Sequence, residues 1–251
     1  MVSMRRASPW VLLAALCTAA CTGRVDGAPI RVLAILGGDF HDFFGNSQLL
    51  LGGVGQQVPL TVDVHFLGQS SPPRAAAPLV PNPLRDPDLS VRYDAILMYT
   101  QGDAFPLDAG ERAVLLDFVR AGGGFVGLHC AADTFKPDPD YMRLVGGRFV
   151  THPPYGTVPV RRIAGEHPVL LGITDFAQND EFYYLDAVDL TTTSVLLAGI
   201  APDGQTRPLA WTHTFGAGRV FYTALGHDAA MHTDASYQRL IGNALRWVTT
   251  P

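Results

Sequence analysis

Apolar and polar positions fall into blocks along this chain. Residues 30–36 form an almost unbroken apolar run of strand length. Asn46 or Ser47 is placed to cap a helix reaching about residue 57. Residues 60–66 alternate as an edge strand does, which turns His65 outward. Residues 69–90 are Pro-rich and without periodicity, and read as an irregular insert. Residues 93–99 are mostly apolar, the pattern of a buried parallel strand. Asp108 caps a helix over about 109–121, and Ala113, Leu115, Leu116, Phe118 and Val119 give it an inward face. The second half changes character. Short β-like runs cover 158–163, 194–200, 209–214 and 218–225, and Asp234 or Ser236 opens a last helix ending near Trp247. The early alternation of strand and helix predicts an α/β fold of the doubly wound kind: a mostly parallel sheet, helices on both faces, and a β-rich C-terminal half.

Composition narrows this picture. At 251 residues, with 47% hydrophobic and 16% charged residues, the chain can bury a large core. Its net charge of −5 offers no basic surface for nucleic acid. The N-terminus reads as a targeting segment. Arg5 and Arg6 precede an apolar stretch over 10–20, too short to span a membrane, and Thr18-Ala19-Ala20 leads into Cys21. We expect a signal peptide over 1–20 of the lipoprotein type, lipidation at Cys21, a tether over 21–29 and one domain over 30–251. The protein is then exported, and touches a membrane only through its N-terminal lipid. Cys17 leaves with the signal and Cys21 is acylated, so Cys130 remains alone and no disulfide framework exists.

Candidate chemistry centres on Gly122-Gly123-Gly124-Phe125-Val126-Gly127-Leu128-His129-Cys130-Ala131-Ala132. Three glycines lead into a short apolar run that ends in Gly-Leu-His before small residues. This reads as a strand turning sharply into a helix, an elbow that lifts one side chain at the carboxyl edge of a sheet. Ligands bind at that edge in open α/β sheets. With Gly127 two residues before it, His129 takes the tip and Cys130 turns into the helix packing. An imidazole there suits acid–base chemistry or metal ligation better than acyl transfer.

A series of further motifs follows in order. They are Gly146-Gly147-Arg148-Phe149 with His152-Pro153, Glu166-His167-Pro168-Val169, Asp180-Glu181-Phe182-Tyr183, Leu209-Ala210-Trp211, Gly216 to Tyr222, and Leu225-Gly226-His227-Asp228. Together with the elbow they resemble the ThuA-like (trehalose-utilisation) family, whose fold is related to class I glutamine amidotransferases. The resemblance implies a flavodoxin-like, amidotransferase-like sheet and a role in carbohydrate metabolism associated with disaccharides and 3-keto sugars. It does not carry amidotransferase activity, because the elbow tip that holds a cysteine nucleophile in that fold is His129 here.

His129, Glu181 and His227 are the candidate catalytic residues. Each lies at a strand end or beside aromatics, where desolvation tunes a general acid or base. Candidate substrate-binding residues are His41, flanked by Phe40 and Phe43, His152 before two prolines, Tyr183, Trp211 as a sugar platform, and Asp228. Asp180 reads as a solvated neighbour of Glu181, and His167 as a turn residue before Pro168. No pair of carboxylates of the glycosidase kind stands out. No cofactor is expected. A divalent metal is the alternative, its ligands converging from distant loops, since no His-x-His or His-x-x-x-His spacing is present. The expected function is an exported carbohydrate-active hydrolase, lyase or isomerase with a small carbohydrate substrate. The alternatives are a non-catalytic sugar-binding lipoprotein and a metal-dependent hydrolase.

Overall fold

The computed structural model describes residues 28–250. The expected signal peptide, Cys21 and most of the expected tether lie outside the described residues. Among the described residues, no helix is long and apolar enough to cross a membrane.

The first apolar run is strand β1 (Ile30–Gly38). Helix α1 (Phe43–Gly55) follows it and is capped by Asp42, whose Oδ1 accepts from the Gly45 amide at 2.9 Å. The helix therefore starts earlier than Asn46 or Ser47 would allow. Asn46 sits inside it instead, and its side-chain amide donates to the Tyr99 hydroxyl and to the His227 carbonyl. Strand β2 (Leu60–Ser70) is longer than expected, and the short β3 (Pro73–Arg74) pairs with its far end at Gln69 and Ser70. His65 does not face out. It is 1% exposed and its Nδ1 accepts from the Leu79 amide. The Pro-rich segment thus packs over β2. Besides β3 it holds a turn of 3₁₀ helix at Pro83–Arg85 and the short α2 (Leu89–Arg92).

Strand β4 (Ala95–Thr100) is fully buried. Helix α3 (Ala109–Arg120) opens on a capping box between Asp108 and Glu111. The elbow strand is β5 (Gly124–Leu128). After it come α4 (Pro139–Val145), β6 (Arg148–Thr151), β7 (Gly156–Arg162), β8 (Phe176–Asp180) and β9 (Tyr184–Asp186). The chain closes with β10 (Ser194–Ile200), β11 (Thr206–Phe215), β12 (Gly218–Thr223), α5 (Ala229–His232) and α6 (Ala235–Val248).

Ten strands form one sheet in the order β3-β2-β1-β4-β5-β12-β11-β10-β7-β8, and β6 pairs with β9 separately. The run β2-β1-β4-β5-β12 is parallel. The run β12-β11-β10-β7-β8 is antiparallel. The sheet is therefore mixed, and the expectation of a mostly parallel sheet fails in the C-terminal half. The reason is connection length. Only Gly216 and Ala217 separate β11 from β12, and so short a link joins antiparallel neighbours only, because a parallel pair needs a long crossover.

Trp211 also departs from its expected role. It is fully buried on β11, its Nε1 donates to the Val145 carbonyl at 3.1 Å, and its ring packs 4.6 Å from Tyr222. It is a core residue and cannot serve as a sugar platform. Trp211→Ala should therefore cost about 3–5 kcal/mol, roughly 10 °C in Tm, through cavity formation. Thermal melting tests this, and a variant that melts like wild type would contradict the core assignment.

Candidate functional site

Three strands of the parallel run end at the same sheet edge, and each is followed by a histidine. His41 follows β1, His129 follows β5 and His227 follows β12. The antiparallel half supplies Glu181, the residue after β8. One atom from each of these four side chains meets the others within 4.8 Å. His129 Nε2 lies 3.4 Å, and His227 Nδ1 3.2 Å, from Glu181 Oε2. The His41 ring stands edge-on to both, with centroids 5.1 Å from His129 and 4.9 Å from His227. Three imidazoles and a carboxylate so placed are a donor set able to hold a divalent cation as well as to move protons.

Local backbone explains how His129 reaches this point. It opens a turn of 3₁₀ helix (His129–Asp133) with φ +46°, a left-handed conformation costly for a side-chain-bearing residue. The sharp turn expected of the elbow is thus present. The Tyr222 hydroxyl donates to the His129 carbonyl at 2.7 Å, which pins the turn. His129 Nδ1 lies 2.7 Å from the Ala224 carbonyl. A carbonyl only accepts, so Nδ1 carries a proton and Nε2 is the ring nitrogen turned toward Glu181. Cys130 is fully buried beside it, and burial pushes its thiol well above the usual range. Phe40, just before His41, is a second left-handed residue at φ +70°.

The remaining candidates divide. His152 stands at the open side: its Nε2 is 3.5 Å from Glu181 Oε1, and Nδ1 is fixed by the Pro153 carbonyl at 2.8 Å. Tyr183 is 2% exposed and stacks on His129 at 4.0 Å, so it backs the site and is not open to a substrate. Asp228 orients no histidine ring. It caps α5 through the Ala230 amide and accepts from the Tyr155 hydroxyl at 2.7 Å. His167 accepts from the Val169 amide, the turn role expected of it.

Sequence reasoning missed three participants. Asp180 is not solvated. It is fully buried and accepts from the amides of Glu181, Gly226 and His227 at 2.8, 2.8 and 3.0 Å. Tyr155 packs 5.3 Å from the His227 ring and closes the rim. His232, on α5, lies under the site and bonds the Gly226 carbonyl through Nε2 at 2.9 Å. No periodicity marks Tyr155 or His232. The chain spacing of Asp180 and Gly226 hides their contact.

Charge within the site is uneven. Burial, then the nearby His129 and His227, lower the His41 pKa to about 3, which keeps that ring neutral. Burial would raise the Glu181 pKa. The His129 and His227 imidazoles beside it outweigh burial and hold the carboxyl below its usual range. Burial would lower the His227 pKa, and the adjacent Glu181 carboxylate reverses the direction. A cavity of about 850 Å³ between Lys136, Arg148, His213 and Phe215 includes none of the four clustered residues. A cleft of about 550 Å³ lies nearer in the chain. It opens between the loops after β1 and β4, lined by Asp39, Gln101, Asp103 and Phe105.

Comparison with known proteins bears on what this site serves. The ThuA family model, described as trehalose utilisation, matches residues 75–248. No curated protein matches the chain. Among solved structures, a ThuA-like protein from Parabacteroides merdae superposes with a TM-score of 0.70 at 19% identity, over 88% of this chain and 90% of that one. A ThuA-like protein from Bacteroides uniformis gives 0.65 at 20% identity, over 90% and 94%. A β-galactosidase from Rahnella sp. R3 gives 0.57 at 15% identity, over 89% of this chain but 32% of that one. At these identities the superpositions establish the fold.

Burial of His232 carries a pH consequence. Its pKa is near 6.5 when unfolded and is lowered to about 4 in the fold, chiefly by burial. Between those values the unfolded chain takes up a proton that the folded chain does not. Stability should therefore fall as pH drops from about 7 to 4, by up to ~1.4 kcal/mol per pH unit from this group. Denaturant unfolding of wild type and His232→Gln at both ends of this range checks it. The variant should show the shallower pH dependence, and identical slopes would refute the assignment.

Proposed function

The chain belongs to the ThuA family, and we propose that it is an enzyme of carbohydrate metabolism, acting on a disaccharide, glycoside or 3-keto sugar, exported by the targeting segment read at its N-terminus. The observation that carries the enzymatic reading is the convergence of His41, His129, His227 and Glu181, four chemically active side chains from four separate strand ends. A fold has no structural need to bring such groups together, and perturbed titratable groups gather where chemistry is done. The parallel run β2-β1-β4-β5-β12 supports a flavodoxin-like, amidotransferase-like core with helices on both faces.

The site's parts suit sugar chemistry. Glu181 presents a carboxylate whose Oε2 faces His129 and His227 while Oε1 faces His152. That second oxygen can accept from a sugar hydroxyl or exchange a proton with His152. A carbonyl at the 3-position of a sugar acidifies the neighbouring C–H bond, so a single base such as a carboxylate or imidazole suffices for elimination or isomerisation. Hydrolysis by two opposed carboxylates finds no support, because Asp180, the nearest carboxylate in sequence to Glu181, is buried and committed to three amides. Thiol chemistry finds none either, given the fully buried Cys130. Lipidation at Cys21 remains part of the proposal. Mass spectrometry of the mature N-terminus in membrane fractions should find an acylated Cys21, and an unmodified terminus in a soluble fraction refutes it.

Turnover of trehalose and 3-keto-trehalose by purified protein tests the central reading. His129→Ala should lose about 100- to 10,000-fold in rate, the usual worth of a positioned acid–base group. Cys130→Ala should keep its activity and lose on the order of 1 kcal/mol of stability, because only one small cavity is made. Sugar binding by wild type without any turnover would identify a binding lipoprotein instead. An inactive but folded Cys130→Ala would restore the thiol as nucleophile.

A further inference from the structure

We propose that His41, His129, Glu181 and His227 form a mononuclear divalent metal centre of the zinc type, with Glu181 as the single carboxylate ligand and one side open. The inference deepens the reading of this cluster as the reaction centre and rests on it for its purpose, but not for its evidence. It departs from the sequence expectation that no cofactor is held.

Separation of the donor atoms is the first argument. Ligands around a tetrahedral ion with bonds of about 2.0–2.1 Å stand ~3.3 Å from one another. His129 Nε2 and His227 Nδ1 lie 3.4 and 3.2 Å from Glu181 Oε2. Every pair among the four donors is within 4.8 Å, close to the ~4.2 Å across an octahedral sphere with bonds of about 2.1 Å. A modest inward shift completes either geometry.

Unsatisfied polar atoms are the second. His41 Nδ1, His129 Nε2 and His227 Nδ1 are all buried without a hydrogen-bond partner. One orphaned ring nitrogen is costly, and three facing one point call for a common partner. A cation supplies it. A lone hydrogen-bonded cluster does not, because one carboxylate oxygen cannot accept well from three rings at these spacings.

The support around the ligands is the third. His129 donates Nδ1–H to the Ala224 carbonyl, the outer-shell bond that fixes a metal-binding tautomer. Tyr183 stacks on the same ring and holds its plane. The His227 loop is clamped by Asp180 through the amides of Gly226 and His227. Three imidazoles with one carboxylate suit zinc and its first-row neighbours better than calcium or magnesium. Access is one-sided. His41 and His129 are buried, while the His227 and His152 side chains are 25% and 35% exposed. A cation bound here would polarise a carbonyl or acidify a water at that open side. The lone pairs of His129 and His227 would then be occupied, so proton transfer falls to His152. Its Nδ1–H is held by the Pro153 carbonyl and its Nε2 faces Glu181.

Metal alone is the probe. Full-length protein is stripped with a chelator, dialysed, and titrated with Zn(II) by calorimetry and with Co(II) by visible absorption, with elemental analysis of the purified sample. One equivalent per chain is expected, with a tetra- or pentacoordinate Co(II) spectrum. His129→Ala and the nearly isosteric Glu181→Gln should weaken binding more than ~100-fold, since even outer-shell changes cost about 10–100-fold. His152→Ala should keep the stoichiometry. Circular dichroism confirms folding, and Glu181→Gln serves if a histidine variant fails to fold. Wild type that binds no Zn(II) or Co(II), or binding unchanged in both ligand variants, overturns the proposal. Metal held without sugar turnover would leave this centre standing and remove the proposed enzyme activity. Turnover by metal-free protein would do the reverse.

Discussion

One buried carboxylate joins the two halves of this sheet at the site. Asp180 ends β8, on the antiparallel side, and receives the amides of Gly226 and His227 from the loop after β12, the last strand of the parallel run. It also receives the Glu181 amide. Burial pushes its pKa up, so these three bonds are what compensate a carboxyl group with no exposed surface. Glu181 and His227 lie 46 residues apart in sequence. The clamp places both beside the same oxygen-to-nitrogen contact of 3.2 Å. It ties the strand end that carries Glu181 directly to the loop that carries His227.

Around that clamp the backbone is held where few residues would choose to be. His129 and Phe40 have positive φ, and Gly226 has φ +126°. At Gly226 a Cβ would meet the Tyr237 hydroxyl at 2.6 Å. That hydroxyl donates to the Leu225 carbonyl, and Tyr222 donates to the His129 carbonyl. Buried tyrosines under the sheet edge thus fix both turns from below. Asn46 and Tyr99 do the same for the His227 carbonyl. Strain gathered at one edge and over-determined by buried hydrogen bonds is the pattern of a pre-organised site.

Electrostatics complete the division of labour. The deep histidines, His41 and His232, are kept neutral by burial, whereas His227 at the rim is pushed the other way by Glu181. The site is therefore buried and neutral below, polar and open above. Such a gradient favours groups that accept a cation or a substrate carbonyl over groups that merely carry charge.

Much of this was legible in the chain itself. Apolar runs located β1, β4, β5, β10 and β12, and Asp108 marked the start of α3, because strand and cap signals are local. The Gly127-Leu128-His129 spacing pointed to the elbow, and its small neighbours let the backbone turn sharply. Strand ends nominated His129 and His227, and aromatic neighbours nominated Glu181. What the sequence could not hold was pairing. The turn at Gly216-Ala217 sets the antiparallel half, yet nothing local says that β8 lies at the far edge of it or that Asp180 reaches across to Gly226. Trp211 and His65 show the same limit from the other side. An aromatic or imidazole looks alike on a buried face and an exposed one until its cover is known, and here the covers are Tyr222 and the segment after β2. Element type and candidate chemistry follow from neighbours in the chain. Burial, register and the meeting of four donor atoms follow from contacts between distant segments, and only the folded sheet decides those.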